Sequence, residues 1–340
     1  LQISGSNVQF LGPNLHCQVL DLAFLWSNGH RIEEGCAQTL MTHDDVFQKL
    51  CSVAGLAVKF FRMRTRQPTI GTYACNMTGD AFTTWDSATE SFISVVEGID
   101  DWNVQSPCPG WTIADLVAHT SDLESMLAAD PRPNHSPAWE SIAHIDSDFG
   151  RLTEVGVDYR RGWSRGDLLD DLTASHERAR ERVASLGPEA TIPWLRGETP
   201  IPRLLSMRTF DVWMHEQDAR VATGNLGNLD GPGAREAMTY LSAGLPKVWG
   251  KSVGAPAGSV LNVVTTEPGL AAEFWVRVGE DGKAGLVDEI DADVSATMPW
   301  MSFVMLASGR ATERDFAADV VVVGDQSLGV ALLDSMAVTP

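Results

Sequence analysis

Asp211 and His215 stand four residues apart in the stretch FDVWMHEQDAR, residues 210–220. In a helix that spacing puts a carboxylate and an imidazole on one face, one turn apart, and such a pair is half of a metal site. A third ligand must come from another element, and His119, at the end of WTIADLVAH, is the first candidate. Two imidazoles and one carboxylate suit Zn²⁺ and leave a fourth position open, as in catalytic zinc sites. Nickel or iron would accept the same set. A divalent metal there could polarise a carbonyl, activate water or lower the pKa of a thiol. Glu216 and Asp218 neighbour the pair and are candidates for a general base or for orienting a ligand. The competing reading is a helical core with a buried Asp–His pair and no metal, and spacing alone leaves both open.

Other residues compete for chemistry. His176 lies on the apolar stripe Leu168, Leu172, His176, Ala179, Val183 and is the rival third ligand. His135 and His144 sit in segments without clear periodicity and read as loop or surface residues. Cys108 precedes a helix start, where unpaired N–H groups favour a thiolate and hence a nucleophile. Between Pro107 and Pro109 in an apolar turn, it reads first as a small packed side chain. Asp115 follows Thr112 by three residues, the spacing of a capping box, which accounts for it without metal.

Four helical patterns must position these groups. The first spans about 82–98, with Trp85, Ala88, Phe92, Val95 and Val96 on one stripe. The second starts at Thr112 after the stiff turn PCPGW, with Trp111 and Leu116 placed for a hydrophobic staple. Between them and the third, residues 139–163 read as helical stretches broken by Gly150 and Gly156. The third runs through LLDDLTASHERARERVASL, and a long Pro-rich connection, GPEATIPWLRGETPIP, follows it. The fourth covers about 203–223 and closes at Gly224, with Asp211, His215 and Asp218 on the same face as Leu204, Phe210 and Met214. A charged group on a buried face is costly unless paired or metal-bound, so this face needs an explanation. Beyond the glycine-rich stretch 224–235, helical and β-branched segments alternate through to the closing DQSLGVALLDSM, an α+β layout. The fold class expected is an all-α four-helix bundle followed by a smaller α+β domain, with no GxGxxG dinucleotide motif.

Composition narrows the function classes. With 45 acidic against 25 basic residues, the net charge of −20 disfavours nucleic acid or an anionic membrane as partner. No apolar run reaches the ~18 residues of a membrane helix. Acidic and basic residues balance over residues 1–80, so the imbalance lies beyond them. The same segment carries Cys17, Cys36, Cys51 and Cys75 at spacings that match neither a zinc knuckle nor a CxxC site. An odd cysteine count in a large acidic body points to a cytoplasmic protein without a disulfide framework. Within 1–80, residues 15–26 and 54–61 read as strands or buried helices, and there is no signal-peptide pattern.

PCPGWTIADLVAH, followed some ninety residues later by MRTFDVWMHEQDAR, resembles the mycothiol-dependent maleylpyruvate isomerase family, one of the DinB-like metal-binding four-helix bundles. The resemblance implies metal ligation by His119, Asp211 and His215, with Zn²⁺ as the metal and mycothiol or another low-molecular-weight thiol as cofactor. It implies an isomerase or transferase acting on a small, anionic metabolite, by reversible addition of a thiolate to an activated alkene in the isomerase case. The family has Glu where this chain has Asp211, which questions the reaction more than the metal. The domains implied are an N-terminal extension over 1–80 that the resemblance leaves uncovered, the bundle over 81–224, and a sterol-carrier-protein-like domain over 234–340. In the last of these, Arg277 and Arg310 could receive an anionic group, although surface charge is their more ordinary role. A monomer or homodimer is expected. A non-catalytic binding or regulatory protein, or a metal-dependent hydrolase, would use the same bundle.

Overall fold

Thr112 and Asp115 do form a capping box in a computed structural model of the chain. The Thr112 hydroxyl accepts from the Asp115 N–H, and the Asp115 carboxylate accepts from the Thr112 N–H. The box starts α2 (Ile113–Leu127), which follows α1 (Met77–Glu97). The structure describes residues 2–4, 7–9, 77–145, 147–187, 189–195, 197–311 and 319–339. It divides the chain into two units, Leu1–Thr69 and Ile70–Pro340. In the first unit, β1 (Gln2–Ser4) and β2 (Asn7–Gln9) pair antiparallel. The elements expected over 15–26 and 54–61, and the four early cysteines, lie outside the described residues.

The second unit is a helical region followed by a sheet-containing region. After α2 come α3 (Asp148–Arg160), α4 (Arg165–Ser185) and α5 (Ile201–Thr223), the last ending at Gly224 in the left-handed conformation. Helix α1 packs on α5, and α2 on α3 and α4. One apolar cluster gathers Phe92, Val96, Trp111, Leu116, Leu172 and Val212, and another gathers Trp85, Leu127, Val183, Leu204 and Leu205. Each such side chain contributes roughly 1.5–3 kcal/mol when fully buried.

Two expectations change here. Helix α3 runs unbroken through Gly150 and Gly156, because α2 crosses it closely: a β-carbon on Gly156 would lie 2.0 Å from the Asp122 carboxyl carbon. The glycine marks a close approach, not a break. The Pro-rich connection after α4 is a hairpin, β3 (Thr191–Trp194) with β4 (Gly197–Pro200), and Ile192 is buried in it.

Beyond Gly224, α6 (Pro232–Lys247) leads into a five-stranded sheet of order β7-β6-β5-β8-β9. Its strands are β5 (Val260–Thr266), β6 (Ala272–Val278), β7 (Ala284–Val287), β8 (Val294–Pro299) and β9 (Val321–Gly324). Only the β5–β8 pair is parallel. Helices α7 (Trp300–Ala307) and α8 (Gln326–Asp334) complete it. The sheet core includes Phe274, Val276, Trp300 and Phe303, and it also takes Phe210, Trp213 and Met214 from α5. Helix α5 therefore enters three apolar clusters and is buried from Val212 to Ala219 without a break. Its polar residues sit inside the protein and must find partners there. Among the described residues, no helix is long and apolar enough to cross a membrane.

Candidate metal centre

The turn before α2 sets the first wall of the site. Gly110 is left-handed (φ 75°), and a β-carbon on it would meet the His144 ring at 2.4 Å, so only glycine fits. The turn delivers Trp111, whose indole N–H donates to Glu154 Oε2 at 3.0 Å and whose ring lies 4.9 Å from that of His119. His119, two turns into α2, meets α5 where Asp211 and His215 share a face.

His119, Asp211 and His215 each offer one donor atom, and these lie within 4.8 Å of one another. His119 Nε2 is 3.5 Å from Asp211 Oδ2, and His215 Nε2 is 3.6 Å from Asp211 Oδ1. Neither separation is that of a good hydrogen bond. Both are close to the ~3.3–3.4 Å between ligand atoms of a tetrahedral ion with bonds of about 2.0–2.1 Å. The His119 Nδ1 atom is buried without a hydrogen-bond partner. His215 Nδ1 lies 3.1 Å from Asp218 Oδ2, which directs the other nitrogen, Nε2, towards the carboxylate between the histidines. Both imidazoles are buried, whereas the Asp211 side chain keeps 31% of its exposure and gives the cluster a way out.

The charges agree with a ligand set. Burial lowers the His119 pKa and outweighs the pull of Asp211, leaving a neutral donor. Burial would raise the Asp211 carboxyl, but Arg208 and then His119 hold it well below the usual carboxylate range. For His215, burial is outweighed by Asp211 and Asp218, which raise its pKa. The residues present therefore fit a divalent metal, whose binding at His215 would displace a proton.

Residues 85–220 match the family model of the mycothiol maleylpyruvate isomerase N-terminal domain. The match runs from within α1 to near the end of α5. The chain is also similar to the crystal structure of the mycothiol-dependent maleylpyruvate isomerase, with 17% identity and a TM-score of 0.45. A His-to-Ala variant of that enzyme gives 16% and 0.47, and each comparison covers 72% of this chain and 92% of the other. Sterol Carrier Protein 2 from Yarrowia lipolytica covers 30% of this chain and 90% of its own, at 16% identity and a TM-score of 0.23. No curated protein matches the chain.

The remaining candidates fall elsewhere. Glu216 does not join the triad: its carboxylate accepts from Arg220 Nε at 2.8 Å and from Asn228 Nδ2 at 3.1 and 3.2 Å. Arg310, just beyond α7, is engaged with Asp218. Its Nε and Nη2 donate to Asp218 at 3.1–3.3 Å and its Nη1 to the Ser308 carbonyl, and the ion pair raises its pKa. It acts on the triad through Asp218 and His215. Arg277 is exposed on β6. His176 is fully engaged, with Nδ1 3.1 Å from Glu124 and Nε2 3.0 Å from Asp86. His135 pairs with Asp158 and His144 approaches Glu154. Burial pushes the Cys108 thiol up to about 12, overriding nearby Arg310, so it is a thiol at neutral pH.

Sequence reasoning missed Arg208 and Glu124. Both are buried, and Arg208 joins Glu124 on α2 to Asp211 on α5. The available signal was Arg208 three residues before Asp211, a second charge on a face already too polar for a core.

Proposed function

We propose that the chain is a metal-binding enzyme that uses a low-molecular-weight thiol, mycothiol by family, in an isomerase or transferase reaction on a small, anionic metabolite. The observation that carries this is the convergence of His119, Asp211 and His215, whose donor atoms lie within 4.8 Å of one another. The family match over residues 85–220 supports the thiol and the reaction class. A bound metal, with Zn²⁺ the ion this donor set suits best, would supply a Lewis acid that favours the thiolate form of an incoming thiol.

The chain's own residues do the rest. Asp218 holds His215 with Nε2 free to donate, and Arg310 holds Asp218 from the sheet-containing region. Trp111 walls the two imidazoles and shields them from water. Cys108 stays protonated, so it does not compete with an incoming thiol as nucleophile. We assign α1, α2, α4 and α5 to a DinB-like four-helix bundle over 81–224. Residues 234–340 are a sterol-carrier-protein-like domain that helps select substrate, and 1–80 are an extension. The protein is cytoplasmic, a monomer or homodimer.

Metal analysis of the purified protein, with maleylpyruvate isomerisation assayed with and without mycothiol, tests the proposal. One metal per chain and activity that requires both metal and thiol are expected. Activity without thiol would turn the reading towards hydrolysis, and metal-free protein would overturn it.

A further inference from the structure

Asp211 has two tasks, and the second is not explained by the triad. Its Oδ2, which faces His119, also accepts from Arg208 Nη1, one turn earlier on α5. Arg208 is 2% exposed and so cannot be a surface charge that happens to lie nearby. Its Nε and Nη2 both donate to Glu124 Oε1, at 3.3 and 2.9 Å. Glu124 is fully buried and is held in turn by the Trp85 indole at 3.2 Å and by His176 at 3.1 Å. His176 continues to Asp86, which Arg180 meets at 2.7 Å near the surface. A rigid arm therefore runs from α1 and α4 through α2 to a single carboxylate oxygen of the triad.

We infer that Arg208, braced by Glu124, is a positioning residue that fixes the Asp211 carboxylate as a one-oxygen metal ligand, with Oδ1 as the freer donor. The inference rests on the proposed metal site. An aspartate on a helix can turn about two side-chain bonds, and an unrestrained carboxylate would lose that freedom on binding metal. A planar guanidinium with two nitrogens on Glu124 and one on Asp211 removes it in advance, a geometry that a lysine ammonium cannot copy. The arm also opposes binding, because a buried cation lies one hydrogen bond from a ligand. Glu124 balances that charge, so the arm orients Asp211 without adding net positive charge to the site. This makes Arg208 and Glu124 a unit: either alone would be a buried unpaired charge.

The test is Co²⁺ binding to the full chain, read by chelator competition and by the visible d–d bands of the bound ion. Arg208→Lys keeps the charge and loses the fork. The double variant Arg208→Met with Glu124→Gln removes both charges together, which guards against misfolding from a lone buried charge, and thermal melts check that each variant folds. For folded variants the inference predicts Co²⁺ affinity weaker by about 10–100-fold, the usual effect of losing a partner that orients a ligand, with shifted or weakened d–d bands. A purely structural role for the arm would lower the melting temperature and leave the spectrum as in the wild type. Wild-type affinity and spectrum in the folded double variant would overturn the inference while leaving the metal site standing. A wild-type chain that binds no Co²⁺ would overturn both, and His119→Ala run in parallel shows that the bound ion sits at the triad.

Discussion

Two histidine clusters are buried in the same helical region, and they differ in what they leave over. Around His176, both ring nitrogens have carboxylate partners at 3.0–3.1 Å, and those carboxylates are shared with Arg180, Arg208 and Trp85. Around His119, one ring nitrogen has no partner, and the other faces a carboxylate at 3.5 Å, too far for a good hydrogen bond. His119 Nε2 and His215 Nε2 both face Asp211 at separations too long for a good hydrogen bond, which an ion shared between them would account for. Residue type does not separate the two, since each has histidine and carboxylate on an apolar face. The surplus of donors does.

The comparison can be broken in several ways. The largest effect is expected for Glu124→Ala, which removes the hub of the satisfied cluster and leaves Arg208 with only Asp211. Loss of one partner of a buried pair should destabilise the fold by about 3–5 kcal/mol in denaturant titrations. Next comes Asp218→Asn, which keeps the shape of the Arg310–Asp218–His215 chain but not its charge. Metal affinity should fall by about 10–100-fold in chelator competition, and an unchanged affinity would mean that His215 needs no orienting carboxylate. His176→Ala should cost about 1.5–3 kcal/mol of stability, the scale of hydrogen bonds to charged groups, with metal content unaltered. The smallest effect concerns Cys108, within electrostatic range of Arg310, Asp218 and Asp211. With its pKa at about 12, its alkylation at pH 8 should be roughly a thousandfold slower than that of a free thiol. The rate should rise about tenfold per pH unit up to that pKa. Fast alkylation at neutral pH would restore Cys108 as a nucleophile.

How much of this was legible in the sequence follows the range of the interactions. The capping box at Thr112 and Asp115, the left-handed stop at Gly224 and the shared face of Asp211 and His215 are local, and spacing alone gives them. The partner choice of Arg310 is not, because Asp218 lies 92 residues away on another element. The same holds for Glu124 and Arg208, 84 residues apart. Gly156 read as a helix breaker because its other use, admitting Asp122 from α2, depends on a crossing that no window of sequence contains. The hairpin of residues 191–200 was hidden by its two prolines, Pro193 and Pro200, which a two-stranded ribbon tolerates because each strand has an open edge. His176 and His119 looked alike for the same reason: burial was predictable, but the count of partners was not.

Metal stoichiometry in three proteins prepared side by side tests the central claim most directly: wild type, His119→Ala and His176→Ala. The account predicts about one divalent metal per chain in the wild type and in His176→Ala, and none above background in His119→Ala. Equal metal content in both variants, or its loss with His176→Ala alone, would contradict it.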